Sequence, residues 1–275
     1  MTGRERREAL EALQDVEGRP AWTRNLILGG VRGSHAHGTT LDLPEDDPRY
    51  TDDVDLWGIA VRHPSWYRSL EAYRIKRSRL SWNSNGSRFD IEIHDVRKFL
   101  DLAGKGNPNV LCWLFSEAED VLLGTDAGHL ILDSRELFLS KEVLKRFVGY
   151  AKGQQAKIRR SEYAGYMGEK RKALVDVDGY DVKHAGHVVR LLWTASELAQ
   201  TGTFSTRRPH RETSVLREVK EGRHDYRSAL GIIEAGWHDL ERERAASPLP
   251  DETDAAAIDA LLEAVYETVA MGAAA

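Results

Sequence analysis

Three aspartates in the first half of the chain have the types and spacing expected of a catalytic metal site. Asp53 and Asp55 open a predicted strand two residues apart, so their carboxylates project from the same face of that strand. Such a pair is costly unless a cation neutralises it, and Mg²⁺ prefers carboxylate and phosphate oxygens. Asp90 lies on the polar face of a later strand, where its carboxylate is expected to complete a two-metal site for in-line phosphoryl transfer.

The stretch "GSHAHGTT" (33–40) lies between an apolar run and the acidic pair. Gly33 permits close approach of the backbone to a phosphate, Ser34 offers a hydroxyl, and backbone N–H groups in such a turn form an anion-binding nest. The stretch therefore predicts a site for the phosphates of a nucleoside triphosphate. His35 and His37 fit either an assisting role there or a polar lining, and they lack the third ligand of a zinc site.

The elements that must position these residues form a mixed sheet with flanking helices in the first half of the chain. Strands are predicted at 25–31, 54–61 and 73–82, and the turn "NSNG" (83–86) leads into an alternating strand at 87–96. One face of that last strand is apolar, and the other carries Asp90, Glu92 and His94. Two helices follow, at 96–106 and 107–115.

The second half is predicted to be helical, so the fold class is α+β. Helical periodicity covers 140–158, 181–202, 217–244 and 254–271, separated by predicted linkers at 168–180, 201–214 and 245–254. We therefore expect a catalytic domain at 1–125 and a helical substrate- or nucleotide-binding domain at 126–275, with the active site in the cleft.

A polar stripe runs along the helix predicted at 181–202. At 100° per residue its members share one direction on an otherwise apolar helix; they are Lys183, His187, Arg190, Thr194 and Glu197. One interpretation is a cleft lining in which Lys183, His187 and Arg190 meet triphosphate oxygens. The other is a buried salt-bridge seam closed by Glu197, and the sequence leaves both open.

The composition describes an ordinary globular protein of 275 residues with a net charge of −5. Residues 141–223 contain 18 Lys and Arg against 10 Asp and Glu, so this region favours anionic ligands. Cys112 is the one cysteine, which excludes an intrachain disulfide and predicts a small buried side chain. The N-terminal segment predicts an amphipathic helix rather than a signal peptide, and no apolar stretch is long enough to cross a membrane, so we expect a cytoplasmic protein.

The motifs together resemble the predicted nucleotidyltransferases of the DNA polymerase β superfamily, in a bacterial and phage branch. The resemblance rests on "GSHAHGTT", "TDDVDLWGI", "FDIEIHDVRKFLDLAGKGNPNVLCWLF" and "YDVKHAGHVVRLLWTASELAQTG" and covers nearly the whole chain. The chain departs from that branch at Trp57, where Arg is common, at His37, where Tyr is common, and in a longer segment at 41–52.

The resemblance implies an enzyme that transfers a nucleoside monophosphate from an NTP to a hydroxyl or phosphate acceptor and releases pyrophosphate. Asp53, Asp55 and Asp90 would hold Mg²⁺ or Mn²⁺, with Asp90 also activating the acceptor, and Gly33, Ser34 and His35 would contact the triphosphate. Two alternatives stay open: an RNA acceptor such as a tRNA 3′ end, and a binding module whose acids no longer catalyse. No membrane partner is expected, and the sequence does not fix the oligomeric state.

Overall fold

The computed structural model describes residues 1–15, 18–47, 49–50, 53–63, 65–74, 76, 80–85, 88–159 and 169–272. The chain divides into two compact units made of discontinuous segments. The sheet unit comprises residues 1–36, 53–139 and 253–275, and the helical unit comprises residues 37–52 and 140–252. The sequence analysis predicted a contiguous division instead, at residue 125.

The sheet unit is built on five strands in the order β3-β4-β2-β1-β5. They are β1 (Leu26–Val31), β2 (Val54–Ala60), β3 (Ser81–Asn85), β4 (Phe89–Asp95) and β5 (Val121–Gly124). Strands β2 and β4 are parallel, and the other neighbours are antiparallel. Because β1 runs against β2, the end of β1 and the starts of β2 and β4 lie at the same edge of the sheet.

Both faces of the sheet are covered, which explains why β2 is apolar at nearly every position. One face packs Leu56, Ile91 and Ile93 against Leu13 of helix α1 (Gly3–Gln14). On the other face, Trp57 is fully buried and stacks on Phe99 and Trp113, with ring centroids 6.4 and 5.4 Å away. The catalytic candidates of β2 and β4 must therefore lie where this second face reaches the edge.

The described residues of the sheet unit form seven α-helices, several of which begin at side-chain caps that the sequence provides. They are α1, α2 (Gly33–His37, whose last residue is assigned to the helical unit), α3 (Leu70–Arg74), α4 (Val96–Gly104), α5 (Pro108–Leu114), α6 (Asp126–Asp133) and α12 (Ala255–Gly272). Asp95 caps α4 by accepting from the Arg97 N–H at 3.0 Å, and Asn107 caps α5 just before its proline. The cap at Asp95 ends β4 and turns the chain onto the sheet.

The helical unit contains α7 (Lys141–Arg159), α8 (Glu169–Asp178), α9 (Val182–Thr201), α10 (His210–Lys220) and α11 (Tyr226–Arg244). Helix α9 begins at an Asp181 cap and ends at Gly202 with a φ of +78°, a conformation that glycine adopts without steric cost. Twelve of its residues are buried, as expected of the central helix of a bundle.

Residues 37–52 belong to the helical unit and are fastened to it by hydrogen bonds. Arg217 Nη2 and Lys220 Nζ donate to the carbonyl oxygens of Gly38 and Thr39, at 2.8 and 2.6 Å. Arg49 pairs with the buried carboxylate of Asp178 at 2.5 Å. The longer segment that the sequence analysis placed at 41–52 is thus held to α8 by its own Arg49, and the residues just before it are held to α10. Residues 48, 51 and 52 lie outside the described residues.

The α+β prediction is confirmed, with several local corrections. The strand predicted at 73–82 is wrong at its start, because residues 70–74 form α3, while residues 75 and 77–79 lie outside the described residues. The turn predicted at 83–86 is wrong over 83–85, which belong to β3, and residue 86 is not described. Strand β5 was missed because it has four residues and no alternation.

In the second half, several predicted boundaries are wrong. The linker predicted at 201–214 includes the first turn of α10, which begins at His210. The linker predicted at 168–180 contains α8, and the single helix predicted at 217–244 is interrupted between α10 and α11. Gly222, in that interruption, has a φ of +72°, which ends a helix. None of the helices in the described ranges combines the length and the apolar character needed to cross a bilayer.

Candidate functional site

The carboxylates of β2 and β4 meet at the edge of the sheet. Asp55 and Asp90 are directly opposite each other in the parallel register, and opposed residues present their side chains on the same face. Asp53 is exposed immediately before β2, where the Val54 N–H bonds to the Arg88 carbonyl at 2.8 Å and ties the starts of the two strands together. The sheet therefore brings Asp55 and Asp90 together.

Gly33 packs directly against the Asp55 carboxylate. Its φ is +66°, and a Cβ built on it would lie 2.1 Å from Asp55 Oδ2. No other residue type fits here, because a side chain would overlap the carboxylate and the backbone conformation would be strained. The backbone after β1 thus fixes one side of the Asp55 side chain.

The stretch after Gly33 differs from the open turn that the sequence analysis expected. Residues Gly33–His37 form the short helix α2, in which Ser34 and His35 are half-buried and Ala36 is buried. The sequence predicted a turn whose N–H groups form an anion-binding nest. In the structure the N–H groups at this place are those of the first turn of α2, and the first N–H groups of a helix have no intrahelical acceptor. The roles of Ser34 and His35 at a triphosphate stay predictions.

Two charged residues that were not assigned a role complete the surroundings of Asp55. Arg32 Nη2 lies 3.6 Å from Asp55 Oδ1, and Arg32 Nη1 lies 3.3 Å from Glu92 Oε2. The alternation of β4 had placed Glu92 on the face of Asp90, but no local pattern connects Arg32 to partners 23 and 60 positions away. We refer to Asp53, Asp55, Asp90 and Glu92 as the acidic group.

Behind the acidic group, His94 forms part of the packed interior. Its ring stacks on Trp113 at 5.2 Å, and its Nε2 lies 3.3 Å from Glu92 Oε1. Burial, with the charges of Lys98 and Arg32, lowers the pKa of His94 to about 3. His94 is therefore a neutral side chain at physiological pH.

The acidic group fits a divalent cation bound together with a substrate. Mg²⁺ is usually held by one or two carboxylates and by substrate phosphates, and Asp55 and Asp90 offer such a pair on one face. Among the described residues, no three His, Cys, Asp or Glu side chains form a group that could hold a metal ion. The assignment of Asp53, Asp55 and Asp90 as metal ligands stays a prediction.

In the helical unit, the predicted stripe of α9 divides into two parts. Arg190 is buried, and its Nη2 donates to His187 Nδ1 at 3.0 Å, while Lys183 is exposed. Further along α9, Glu197 pairs with Arg208, which also contacts Glu212 at 2.7 Å. The contacts of Glu197 at the C-terminal end of the stripe are those of a salt-bridge seam. We refer to Lys183, His187 and Arg190 as the basic group.

Two histidines at or near the basic group have lowered pKa values, because they are buried and because cations lie close to them. Burial, followed by the charge of Arg190, lowers the pKa of His187 to about 2. Burial and Arg190 also hold the pKa of His37 well below its ordinary value, with His187 and Lys220 adding to the effect. His37 Nδ1 donates to the Thr206 carbonyl at 2.9 Å, so His37 lies in the helical unit as a buried, neutral side chain.

The prediction that Cys112 is buried is confirmed, and contacts of three further residues account for their places in the two units. Cys112 and Trp113 are buried, and Trp237 donates to Gln155 Oε1 at 2.7 Å. His184 contacts the capping Asp181 carboxylate at 2.9 Å, which explains its place on α9 without a ligand.

A comparison with protein families finds one match along most of the chain. The model of RlaP, described as the RNA repair pathway DNA polymerase beta family, matches residues 5–264. No curated protein matches the chain.

Proposed function

Since the chain belongs to the RNA repair pathway DNA polymerase beta family, we propose that it is a Mg²⁺- or Mn²⁺-dependent nucleotidyltransferase acting on RNA. It transfers a nucleoside monophosphate from an NTP to a hydroxyl or phosphate of the acceptor and releases pyrophosphate. Membership of the family suggests nucleotidyl transfer in RNA repair, and the metal, the NTP and the acceptor are the finer parts of the proposal.

The observation that carries the proposal is the placement of Asp55. Its carboxylate is opposite Asp90 in the parallel register and is fixed on one side by the backbone of Gly33. Phosphoryl transfer depends on positioning and on charge stabilisation rather than on covalent chemistry, so a fixed carboxylate pair beside a phosphate-binding segment supplies what the reaction needs.

Asp53, Asp55 and Asp90 are the proposed metal ligands. The bound cation would stabilise negative charge on the attacking and leaving oxygens. Asp90 in addition accepts the proton of the acceptor hydroxyl, as a carboxylate within reach of that group would. Gly33, Ser34 and His35 contact the triphosphate at the end of β1.

The basic group of the helical unit offers proposed contacts to nucleotide phosphates. Arg190 offers a planar fork that matches phosphate oxygens, and Lys183 offers a mobile point charge. His187 accepts a hydrogen bond from Arg190 and so orients the fork. Burial does most to lower the pKa of His187, and the charges of Arg190, Lys157 and Lys183, which add to that effect, are of the sign that attracts a polyanion.

RNA is the proposed acceptor on two grounds. The family is described by an RNA repair pathway, and residues 141–223 carry 18 Lys and Arg against 10 Asp and Glu. RNA binding through such a region weakens steeply with salt, since each phosphate contact releases counterions. A small-molecule acceptor predicts no such dependence.

The test measures pyrophosphate release from each of the four NTPs with Mg²⁺ or Mn²⁺, with cellular RNA or a small-molecule extract as the acceptor pool. We expect release that needs the metal and RNA, and a loss of at least about 100-fold in Asp55→Asn. Asp259→Asn, which alters an exposed acid on α12, is the matched control and is expected to keep full activity.

Two results contradict the proposal. Full metal-dependent activity of Asp55→Asn removes the acidic group from the mechanism. NTP binding without release from any pool instead identifies a binding module whose acids no longer catalyse.

A further inference from the structure

We infer that Glu92 is a positioning residue: it holds Arg32 in place and thereby leaves the Asp55 carboxylate available to the cation. The inference rests on the proposed function and goes beyond it, because neither Glu92 nor Arg32 belongs to the proposed ligands. It follows from how the Arg32 side chain is attached.

Arg32 is anchored to two consecutive carbonyl groups of β2, those of Asp55 and Leu56. Its backbone N–H donates to the Asp55 carbonyl at 2.8 Å, and its Nε donates to the Leu56 carbonyl at 3.0 Å. The guanidinium also lies 5.9 Å from the centre of the Trp113 ring. These contacts fix the inner edge of the guanidinium, so the two Nη atoms present a fork toward the acidic group.

The fork contacts two carboxylates unequally. Arg32 Nη1 is 3.3 Å from Glu92 and Nη2 is 3.6 Å from Asp55. Both distances are longer than an ordinary charge-assisted hydrogen bond, and the contact with Glu92 is the shorter of the two. Asp55 is therefore attracted by Arg32 without being closely bound by it. Glu92 is steadied in turn by His94 at 3.3 Å, so the Arg32 side chain is held from the side away from Asp55.

This geometry bears on whether the Asp55 carboxylate pairs with Arg32 or stays available to a metal ion. An arginine that paired closely with Asp55 would occupy the oxygens that a metal ion needs. With Glu92 sharing the guanidinium, Arg32 orients the carboxylate against Gly33 and its charge is divided between two acids. Loss of the Glu92 charge is expected to turn Arg32 toward Asp55, which lowers the affinity for a cation although no ligand has been removed.

The experiment measures binding of Mn²⁺ alone by electron paramagnetic resonance, which requires neither NTP nor turnover. We expect Glu92→Gln to weaken binding roughly threefold to tenfold in the otherwise native chain, as for partly exposed ion pairs. In the Arg32→Gln background the same substitution is expected to change the affinity by less than about twofold, because the competing cation is gone. Thermal unfolding checks that each variant folds, and Arg32→Met replaces Arg32→Gln if the latter does not.

An equal loss in both backgrounds means that Glu92 acts directly, as a ligand or through its own charge, and overturns the inference. No loss in either background overturns it as well. The Asp55→Asn variant distinguishes a failure of this inference from a failure of the proposed function. If that variant binds Mn²⁺ as well as the native chain does, the proposed metal site itself is wrong.

Discussion

The acidic group of the sheet unit and the basic group of the helical unit are built in different ways. In the acidic group, Asp55 and Asp90 are neighbours because two parallel strands fix their register, and the Gly33 backbone packs against one side of the Asp55 carboxylate. In the basic group, Arg190 and His187 lie one turn apart on α9, and their environment comes from distant segments such as residues 37–39. We infer that the acidic group depends mainly on the fixed positions of its side chains, whereas the basic group depends mainly on its positive charge.

Replacing Gly33 by alanine tests the geometric half of this comparison and should have the largest effect. The new Cβ would overlap the Asp55 carboxylate, and the residue would be strained at a φ of +66°. We expect pyrophosphate release to fall by more than about 100-fold, since displacements of about 1 Å have effects of that size. Steady-state kinetics measures the loss of activity, and Mn²⁺ binding measures separately how the displaced Asp55 carboxylate changes the affinity for the cation.

Gly231 on α11 provides the matched control for Gly33. No atom lies within 4 Å of a Cβ built there, so Gly231→Ala should leave activity unchanged and raise stability by up to about 1 kcal/mol through helix propensity. Equal activity of Gly33→Ala and Gly231→Ala would show that the close contact with Asp55 is not needed.

The two groups also differ in how much of their structure the sequence predicts. Alternation along β4 identified the faces of Asp90 and Glu92, because one buried face imposes a period of two. The opposition of Asp55 and Asp90 and the anchoring of Arg32 could not be derived, since register and contacts between distant residues depend on tertiary packing.

In the helical unit, periodicity located α9 and its stripe but not the residues that surround it. Arg208 joins Glu197 from a loop that has no periodic pattern, and Arg49 reaches Asp178 across 129 positions. For His37 the sequence left open an assisting role in the predicted phosphate-binding stretch or a polar lining, and its ring bonds to Thr206. The sequence pattern does not show that the chain passes from the sheet unit to the helical unit between Ala36 and His37.

Replacing Arg190 by glutamine tests the charge half of the comparison. Loss of one charged fork at the nucleotide should raise the KM for the NTP about tenfold, with kcat changed much less. Arg242→Gln, an exposed position on α11 of the same unit, is the control and should change neither parameter. A fall in kcat at unchanged KM would place Arg190 in the chemistry and remove the distinction between the two groups.

The smallest expected effect is a loss of stability in mild acid caused by His187. Its pKa is lowered to about 2, chiefly by burial and then by Arg190, His184, Lys157 and Lys183, while an unfolded histidine has its pKa near 6.5. Below pH 6.5 the unfolded chain therefore binds a proton that the native chain does not, and stability decreases as the pH falls. At pH 5.5 this amounts to about 1 kcal/mol for each such histidine.

Urea unfolding at pH 7.5 and 5.5 measures this loss. His187→Gln, in which the amide can still accept from Arg190, should lose about 1 kcal/mol less than the native chain between the two values. His238→Gln, at an exposed position on α11, should match the native chain. Equal losses for the native chain and His187→Gln would mean that His187 takes up a proton in the folded state. The cations near the basic group would then be neutralised by acidic side chains other than those that contact α9.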